Sequence, residues 1–382
     1  MEYLQQRLLN DGNCSRTIPL DLLVEILFLL PPKSLIRFQS VSKLWFSTIR
    51  SKFFADFFLT RSKARPHFLL SFVGYGSKEC FIVSAPEKSS TVMARSTMPN
   101  LEPGYYLTSG PVNGFVCFGD VYDPITVYNP TTRQMVKLPD VTPNGRKMYA
   151  RLGYDPVEDQ YKVLCVMMEH AKRRDNELEH LVCTVSSSQK QEWRKIENTT
   201  EDSYHSVYGH ICIDGALYYE VGKSRIAKFN VRSEKIEFIK LPKESEINYS
   251  TLINYKGKLG GVVYSCTENF MTLWVLEDAE KQEWSSMRCD LSSTWHDLLG
   301  DCVMFKGVIH TGELVVFNPF IRHWLESSKS LYVCYYDFNK QSTRKVEIQR
   351  MVADDDLRRI YGISELMTML CFPGHIENIR FL

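Results

Sequence analysis

The stretch Thr126-Val127-Tyr128-Asn129-Pro130-Thr131-Thr132-Arg133, running on to Leu138-Pro139, returns further along the chain as Ile226-Ala227-Lys228-Phe229-Asn230-Val231-Arg232-Ser233, running on to Leu241-Pro242. Each copy reads as a short β-prone run, a turn opened by Asn, a few polar residues and a second run that ends in a bulky anchor. Val315-Val316-Phe317-Asn318-Pro319 and Tyr336-Asp337-Phe338-Asn339 echo the phrase. A second version ends in tryptophan, Ser188-Gln189-Lys190-Gln191-Glu192-Trp193 matching Ala279-Glu280-Lys281-Gln282-Glu283-Trp284. Self-similarity at intervals of this size is the signature of a repeat architecture. With Leu138, Trp193, Leu241, Trp284 and Val346 as anchors the steps are 55, 48, 43 and 62 residues, near the roughly 50 of kelch-type blades.

Ahead of most anchors stands a glycine followed by an apolar run, as in Asn113-Gly114-Phe115-Val116, Asp214-Gly215-Ala216-Leu217, Lys256-Gly257-Lys258-Leu259 and Lys306-Gly307-Val308-Ile309. Four-stranded blades set radially account for both patterns. Five anchored blades, together with strand-like text in 66–110 and 371–382, predict a ring of six blades, with seven the other count and a β-sandwich the other architecture. Pairing of Phe68–Phe72 with Ile376–Phe381 would close such a ring and hide its edges.

Before residue 65 the period is helical. Val41, Leu44, Trp45, Thr48 and Ile49 form one stripe of a helix capped by Ser42, and further short helices are marked by Pro19, by the Pro31-Pro32 break and by Lys33–Gln39. Leu22–Leu30 is apolar except for Glu25, so this helix must be covered all round, by the β domain or by a partner. The chain is thus an α + β multidomain protein, with a helical module over 14–64 and an all-β domain over 65–382.

Composition narrows the function. The 382 residues carry 46 Lys/Arg against 45 Asp/Glu, a net charge of +1, which weighs against binding of nucleic acid through its phosphates. The run Leu22–Leu30 falls short of the roughly 20 residues that cross a bilayer, and Met1–Asn10 lacks the pattern of a secretory signal. An intracellular protein with no membrane partner is the expectation. The eleven cysteines form no C-x-x-C pair and mostly sit in apolar runs, where a thiol packs as a small hydrophobe. Gly222-Lys223-Ser224 lacks the earlier glycine of a phosphate loop, and no nucleophile elbow or zinc-binding helix occurs. Glu169, His170, Asp202, His205, His296 and Asp301 are the polar residues a propeller enzyme would have to gather, and their scatter reads as solvated loops. No catalytic residue, metal or cofactor is expected. Trp295-His296-Asp297 and Phe320-Ile321-Arg322-His323-Trp324 combine Trp with Arg or His, a composition typical of interface hot spots. Trp295, His296, Arg322 and Trp324 are accordingly the candidate target-binding residues, with packing between blades as their other use.

The run Ile18-Pro19-Leu20-Asp21-Leu22-Leu23-Val24-Glu25-Ile26-Leu27, then Leu30-Pro31-Pro32-Lys33-Ser34-Leu35-Ile36-Arg37-Phe38, then Val41-Ser42-Lys43-Leu44-Trp45, resembles an F-box. Arg65–Phe72, Asn113–Phe118, Tyr128–Thr132 and Leu152–Pro156 resemble the kelch-like F-box-associated domain of plant F-box proteins, with Ser285–Val303 a poor match. The resemblance implies a three-helix F-box that binds the Skp adaptor, and through it cullin, in a ubiquitin ligase. The propeller would then hold an unknown target protein, in the cytoplasm, the nucleus or both. A non-degradative interaction scaffold is the neighbouring role. Carried over position by position, the adaptor-facing residues would be Pro19, Leu22, Ile26, Leu27, Leu30, Pro31 and Leu35, with Val41 and Trp45 as internal packing.

Overall fold

The computed structural model describes residues 18–74, 80–86, 94–97, 107–120, 123–142, 146–168, 178–196, 204, 206–222, 225–242, 251–265, 268, 270–291, 303–309, 311–320, 331–348 and 367–382. Among these the chain opens with four helices, α1 (Leu20–Leu29), α2 (Pro32–Phe38), α3 (Lys43–Arg50) and α4 (Lys52–Lys63). Three were expected. The fourth, KFFADFFLTRSK, has the apolar spacing Phe54, Ala55, Phe58 that buries one face, and Ser51 caps it by accepting from the Phe54 N–H at 3.2 Å. Ser42 caps α3 as expected, through the Trp45 N–H at 3.2 Å. α1 ends where Leu30 is driven extended (φ −83°, ψ 145°) by the proline after it, and Pro32 opens α2 with its φ already set.

Beyond the helices the described strands form six four-stranded antiparallel sheets. The second blade holds β4 (Leu107–Val112), β5 (Phe115–Asp120), β6 (Asp123–Tyr128) and β7 (Met135–Lys137), and the third β8 (Lys147–Asp155), β9 (Gln160–Met168), β10 (Glu179–Thr184) and β11 (Arg194–Lys195). The fourth holds β12 (Val207–Ile213), β13 (Ala216–Val221), β14 (Arg225–Asn230) and β15 (Ile236–Lys240). The fifth is β16 (Thr251–Tyr255), β17 (Lys258–Ser265), β18 (Phe270–Asp278) and β19 (Glu283–Asp290), and the sixth β20 (Met304–Val308), β21 (Glu313–Phe317), β22 (Leu331–Asp337) and β23 (Ser342–Ile348). The first blade combines both ends of the domain: β24 (Met367–His375) lies beside β1 (His67–Gly74), followed by β2 (Cys80–Pro86) and β3 (Ala94–Thr97).

Contacts between first strands run β24, β4, β8, β12, β16, β20 and back to β24, so the sheets stand as blades around one axis. The ring is six-bladed. It is closed by β1 against Met367–His375, with Leu69 opposite Phe372 and Phe72 opposite Met369. The expected partner, Ile376–Phe381, lies one segment too late: those residues leave the sheet and run under the helices.

The repeated phrase is the turn between third and fourth strands. Asn129 Oδ1 accepts the N–H groups of Thr131 (2.9 Å) and Thr132 (3.3 Å), and Asn230 those of Arg232 (3.1 Å) and Ser233 (2.9 Å). Asp278 and Asp337 do the same in the fifth and sixth blades. In the third blade Ser186 takes this place. In the four Asn/Asp turns the residue four places after the cap, Arg133, Glu234, Gln282 or Gln341, is left-handed. A side chain that mimics a turn carbonyl explains why the phrase needs Asn or Asp. The Asn318 echo belongs elsewhere, after a second strand, where its Oδ1 accepts the Phe320 N–H.

Asn113-Gly114, Asp214-Gly215 and Lys256-Gly257, both residues at positive φ in each, are the two-residue turns from first to second strands. Lys306-Gly307 is not such a turn. It lies inside β20 at a register shift between Phe305 and Val308, and the chain turns at Ile309–Gly312 instead. The tryptophan anchors hook one blade to the one before. The Trp193 indole N–H donates to the Pro139 carbonyl (2.8 Å) and that of Trp284 to the Lys240 carbonyl (3.1 Å). Of the seven cysteines whose side chains are described six are buried, and burial pushes the Cys165 thiol up to about 12.

Candidate functional site

α1 is apolar on two faces, and the structure uses them differently. Leu23 and Leu27 point inward, onto Leu35 of α2, Ile49 of α3 and Phe54, Ala55 and Phe58 of α4. Arg61 ties α4 back to α1 by donating to the Phe28 carbonyl, left open near the helix end, at 3.0 Å. The opposite face, Ile18, Leu22, Ile26 and Leu29, is turned to solvent, with exposures of 49, 50, 43 and 78%. Phe57 of α4 carries this surface sideways through its ring contact with Phe28, 4.2 Å between centroids. Single exposed apolar residues are ordinary on a protein surface. Three on one face of a ten-residue helix, with Ile18 just before its N-cap, form a patch of the kind that marks an interaction site.

Of the seven expected adaptor-facing residues, Pro19, Leu22, Ile26 and Pro31 are exposed and Leu30 is half-buried. Leu27 and Leu35 are fully buried, a correction. A helix apolar all round cannot tell from its text which leucines its own module takes, and here Leu27, one turn after Leu23, belongs to the core. Val41 corrects the other way, 58% exposed rather than packed, while Trp45 packs edge-on against Phe38 at 5.2 Å. Leu29 and Phe57 are the residues that sequence reading passed over.

The helical module stands on one face of the ring. Neighbouring first strands run in the same direction, since Gly110 and Gly114 of the second blade meet Phe372 and Ile376 of the first in the same order. All turns from first to second strands therefore fall on one face, and this face carries the helices. There Lys52 and Arg380 both bind the Asp159 carboxylate in the turn between β8 and β9. Burial alone would raise Asp159, but hydrogen bonds from Lys52, Arg380 and Tyr154 outweigh it and hold the carboxyl down at about 2. Arg232 grips Asp155 with two nitrogens on the same face, at 3.0 and 3.1 Å, and holds that carboxylate below its ordinary range.

Trp295, His296, Arg322 and Trp324 lie outside the described residues, as do Glu169, His170, Asp202, His205 and Asp301. The strands flanking the first four, β19 and β20, then β21 and β22, have their facing ends on the side of the ring away from the helices. Among the described residues no three His, Cys, Asp or Glu side chains gather as a metal site would require. His210 lies on the ring axis, where its Nε2 accepts the Gly110 N–H at 2.9 Å.

An F-box domain model matches residues 17–56, and an F-box associated beta propeller domain model matches residues 67–376. The chain is 38% identical to the Arabidopsis thaliana F-box protein At1g30790 over 96% of its own length and 98% of the relative's. It is 34% identical to the putative F-box protein At1g46984 (96% and 94% covered) and 32% to F-box protein DOR (99% and 97%), both also from Arabidopsis thaliana. The helices, the ring and these likenesses coincide along almost the whole chain, which belongs to the plant F-box proteins with an F-box associated β-propeller domain.

Proposed function

We propose that the chain is the substrate-recognition subunit of an SCF-type (Skp–cullin–F-box) ubiquitin ligase. The exposed stripe of α1 docks on the Skp adaptor, and the propeller holds a target protein. The observation that carries this reading is that stripe: Leu22, Ile26 and Leu29 left uncovered on a helix whose other face closes the core of its module, with Ile18 beside them just before the helix starts. Such a face is stable in water only at the cost of its exposed area, and a grooved partner recovers that area. The subunit makes and breaks no bond itself. It works by proximity, since tethering raises the effective concentration of target lysines beside a ubiquitin-loaded enzyme held elsewhere in the complex. Action in the cytoplasm, the nucleus or both is part of the proposal.

The target face in this reading is the side of the ring away from the helices. The connections 291–303, 318–330 and 349–366 all join strand ends on that side, while connections on the helix-bearing side span nine residues at most. Trp295, His296, Arg322 and Trp324 are the proposed contacts there.

Capture by recombinant Skp adaptor tests the first half. Full-length protein is expected to bind, and a Leu22→Asp, Leu29→Asp variant to lose at least a hundredfold in affinity while keeping the parent melting temperature. Leu27→Asp is the contrasting control, since a charge in the core should unfold the module outright. Absence of capture by the folded parent would remove the proposal.

A further inference from the structure

After β24 the chain does not stop at the edge of the ring. Residues 376–382 run beneath the helical module in a groove between it and the second and third blades, and each of residues 378–382 is tied down. Asn378 donates its N–H to Thr131 Oγ1 (3.1 Å) and its side-chain amide to the Asn113 carbonyl (2.7 Å), and the Asn129 amide reaches the carbonyls of Asn378 (2.9 Å) and Arg380 (3.1 Å). Leu382 and Gln134 exchange two hydrogen bonds, at 2.9 and 3.2 Å. These partners all belong to the second blade. Gly114 is required beneath this path: it is left-handed (φ +88°), and a Cβ there would overlap the Ile376 carbonyl and stand 2.9 Å from Asn378 Cβ.

The opposite side of the same segment belongs to the helices. Ile379, 2% exposed, is a member of the helical core beside Leu27, Ile49 and Phe54. The Phe381 ring lies under the Arg50 guanidinium of α3, 3.4 Å from its centroid. Arg380 spans the junction, one nitrogen on Asp56 of α4 and another on Asp159 of the third blade, and its side chain is only 16% exposed. Asp159 also takes Lys52 of α4. Two carboxylates from two structural units thus converge on one guanidinium, where partial burial makes each charge-assisted bond count for more than it would in water.

We infer that residues Ile376–Leu382 are a strap that locks the helical module at one angle to the ring, with Arg380 as its positioning residue. The three-residue link between α4 and β1, Ala64 to Pro66, fixes distance but not orientation; the strap fixes both. Because α1 faces away from the ring and the long connections lie on the far side, the strap sets the separation and angle between an adaptor on α1 and a target on the ring. The part of the inference concerning ubiquitin transfer rests on the reading proposed above; the mechanical part does not.

Amide hydrogen exchange on the full-length protein, without adaptor or ubiquitin, tests it. In Arg380→Ala the amides of residues 43–63 and 376–382 are expected to exchange at least tenfold faster, with β13 and β17 unchanged. Arg380→Lys, which keeps the charge but cannot bridge two carboxylates bidentately, should fall between. Small-angle scattering of Arg380→Ala should show a broader distribution of intramolecular distances than the parent. If exchange in 43–63 and the scattering are the same in Arg380→Ala and parent, the strap is overturned. Should Arg380→Ala loosen the ring as well, Asp56→Asn, which removes only the helical end of the bridge, decides on the same two readouts. A strap that holds while adaptor capture fails would leave this inference standing and sink only the ligase reading.

Discussion

At single residues, side chains do the work of backbone in the blade turns. Asn230 Oδ1 closes its turn with two N–H groups, and Asp278 and Asp337 do the same in the next two blades. Exchange within this set is therefore tolerated and loss is not: Asn230→Asp should leave stability within about 0.5 kcal/mol, whereas Asn230→Ala should cost about 1–2 kcal/mol in denaturant unfolding. Titration is set by burial around the closing strand. Burial lowers His375 to about 3 and lowers its register partner His67, so both stay neutral in the fold. The unfolded chain takes up these protons near pH 6.5, so their contribution to stability is complete above that pH and is lost as pH falls toward 3. Glu377 runs the other way, raised to about 7 by burial. Its neutral form is favoured in the fold, so stability present below pH 4.5 is lost as pH rises through 7. Thermal melts from pH 5 to 8.5 should show Glu377→Gln matching the parent at pH 5 and exceeding it at pH 8.5; equal melting at both ends would contradict the burial of this carboxyl.

At the scale of the element, legibility in the sequence followed burial on both faces. The runs Lys162–Met167, Ala216–Tyr219 and Leu314–Phe317 are readable because each lies in a second strand packed between neighbours and, Lys162 aside, is apolar throughout. First strands line the axis and carry Gly, Lys, Arg and His, as in VYGHICI and MFKGV, so they lose the apolar signal. Fourth strands are short or exposed, as in the two-residue β11 and the mostly exposed EWSSMRCD of β19. The repeat was visible only because the turns and anchors recur, and it misled where a similar phrase served another turn, at Asn318 and at Lys306-Gly307. The functional helix was legible in existence but not in orientation. Apart from Asp21 and Glu25 its positions are all apolar, and what divides Leu23 and Leu27 from Leu22 and Ile26 is the packing of α2, α3, α4 and Ile379, which arrives from the other end of the chain. The closing strand was placed one segment late for a related reason. Met367–His375 and Ile376–Phe381 are both apolar enough to pair, and only the strap's need for Ile379 and Phe381 under the helices separates them.

At the scale of the whole molecule, two faces of one ring are given different tasks by topology. Parallel first strands send the turns from first to second and from third to fourth strands to the side that carries the helices and the three longest connections, 291–303, 318–330 and 349–366, to the other, so in the proposed reading an adaptor on α1 and a target on the far face do not compete for surface. Loops that vary without disturbing the blades are where recognition is free to diverge, which fits a scaffold shared by relatives at 32–38% identity. Amide hydrogen exchange of the full-length protein with and without saturating recombinant Skp adaptor decides whether α1 is the docking helix. Protection is expected only in residues 18–38 and the neighbouring surface of α4, with the ring unchanged and no protection in the Leu22→Asp, Leu29→Asp variant. Protection on the blades with none on α1, or no complex at all, would contradict it.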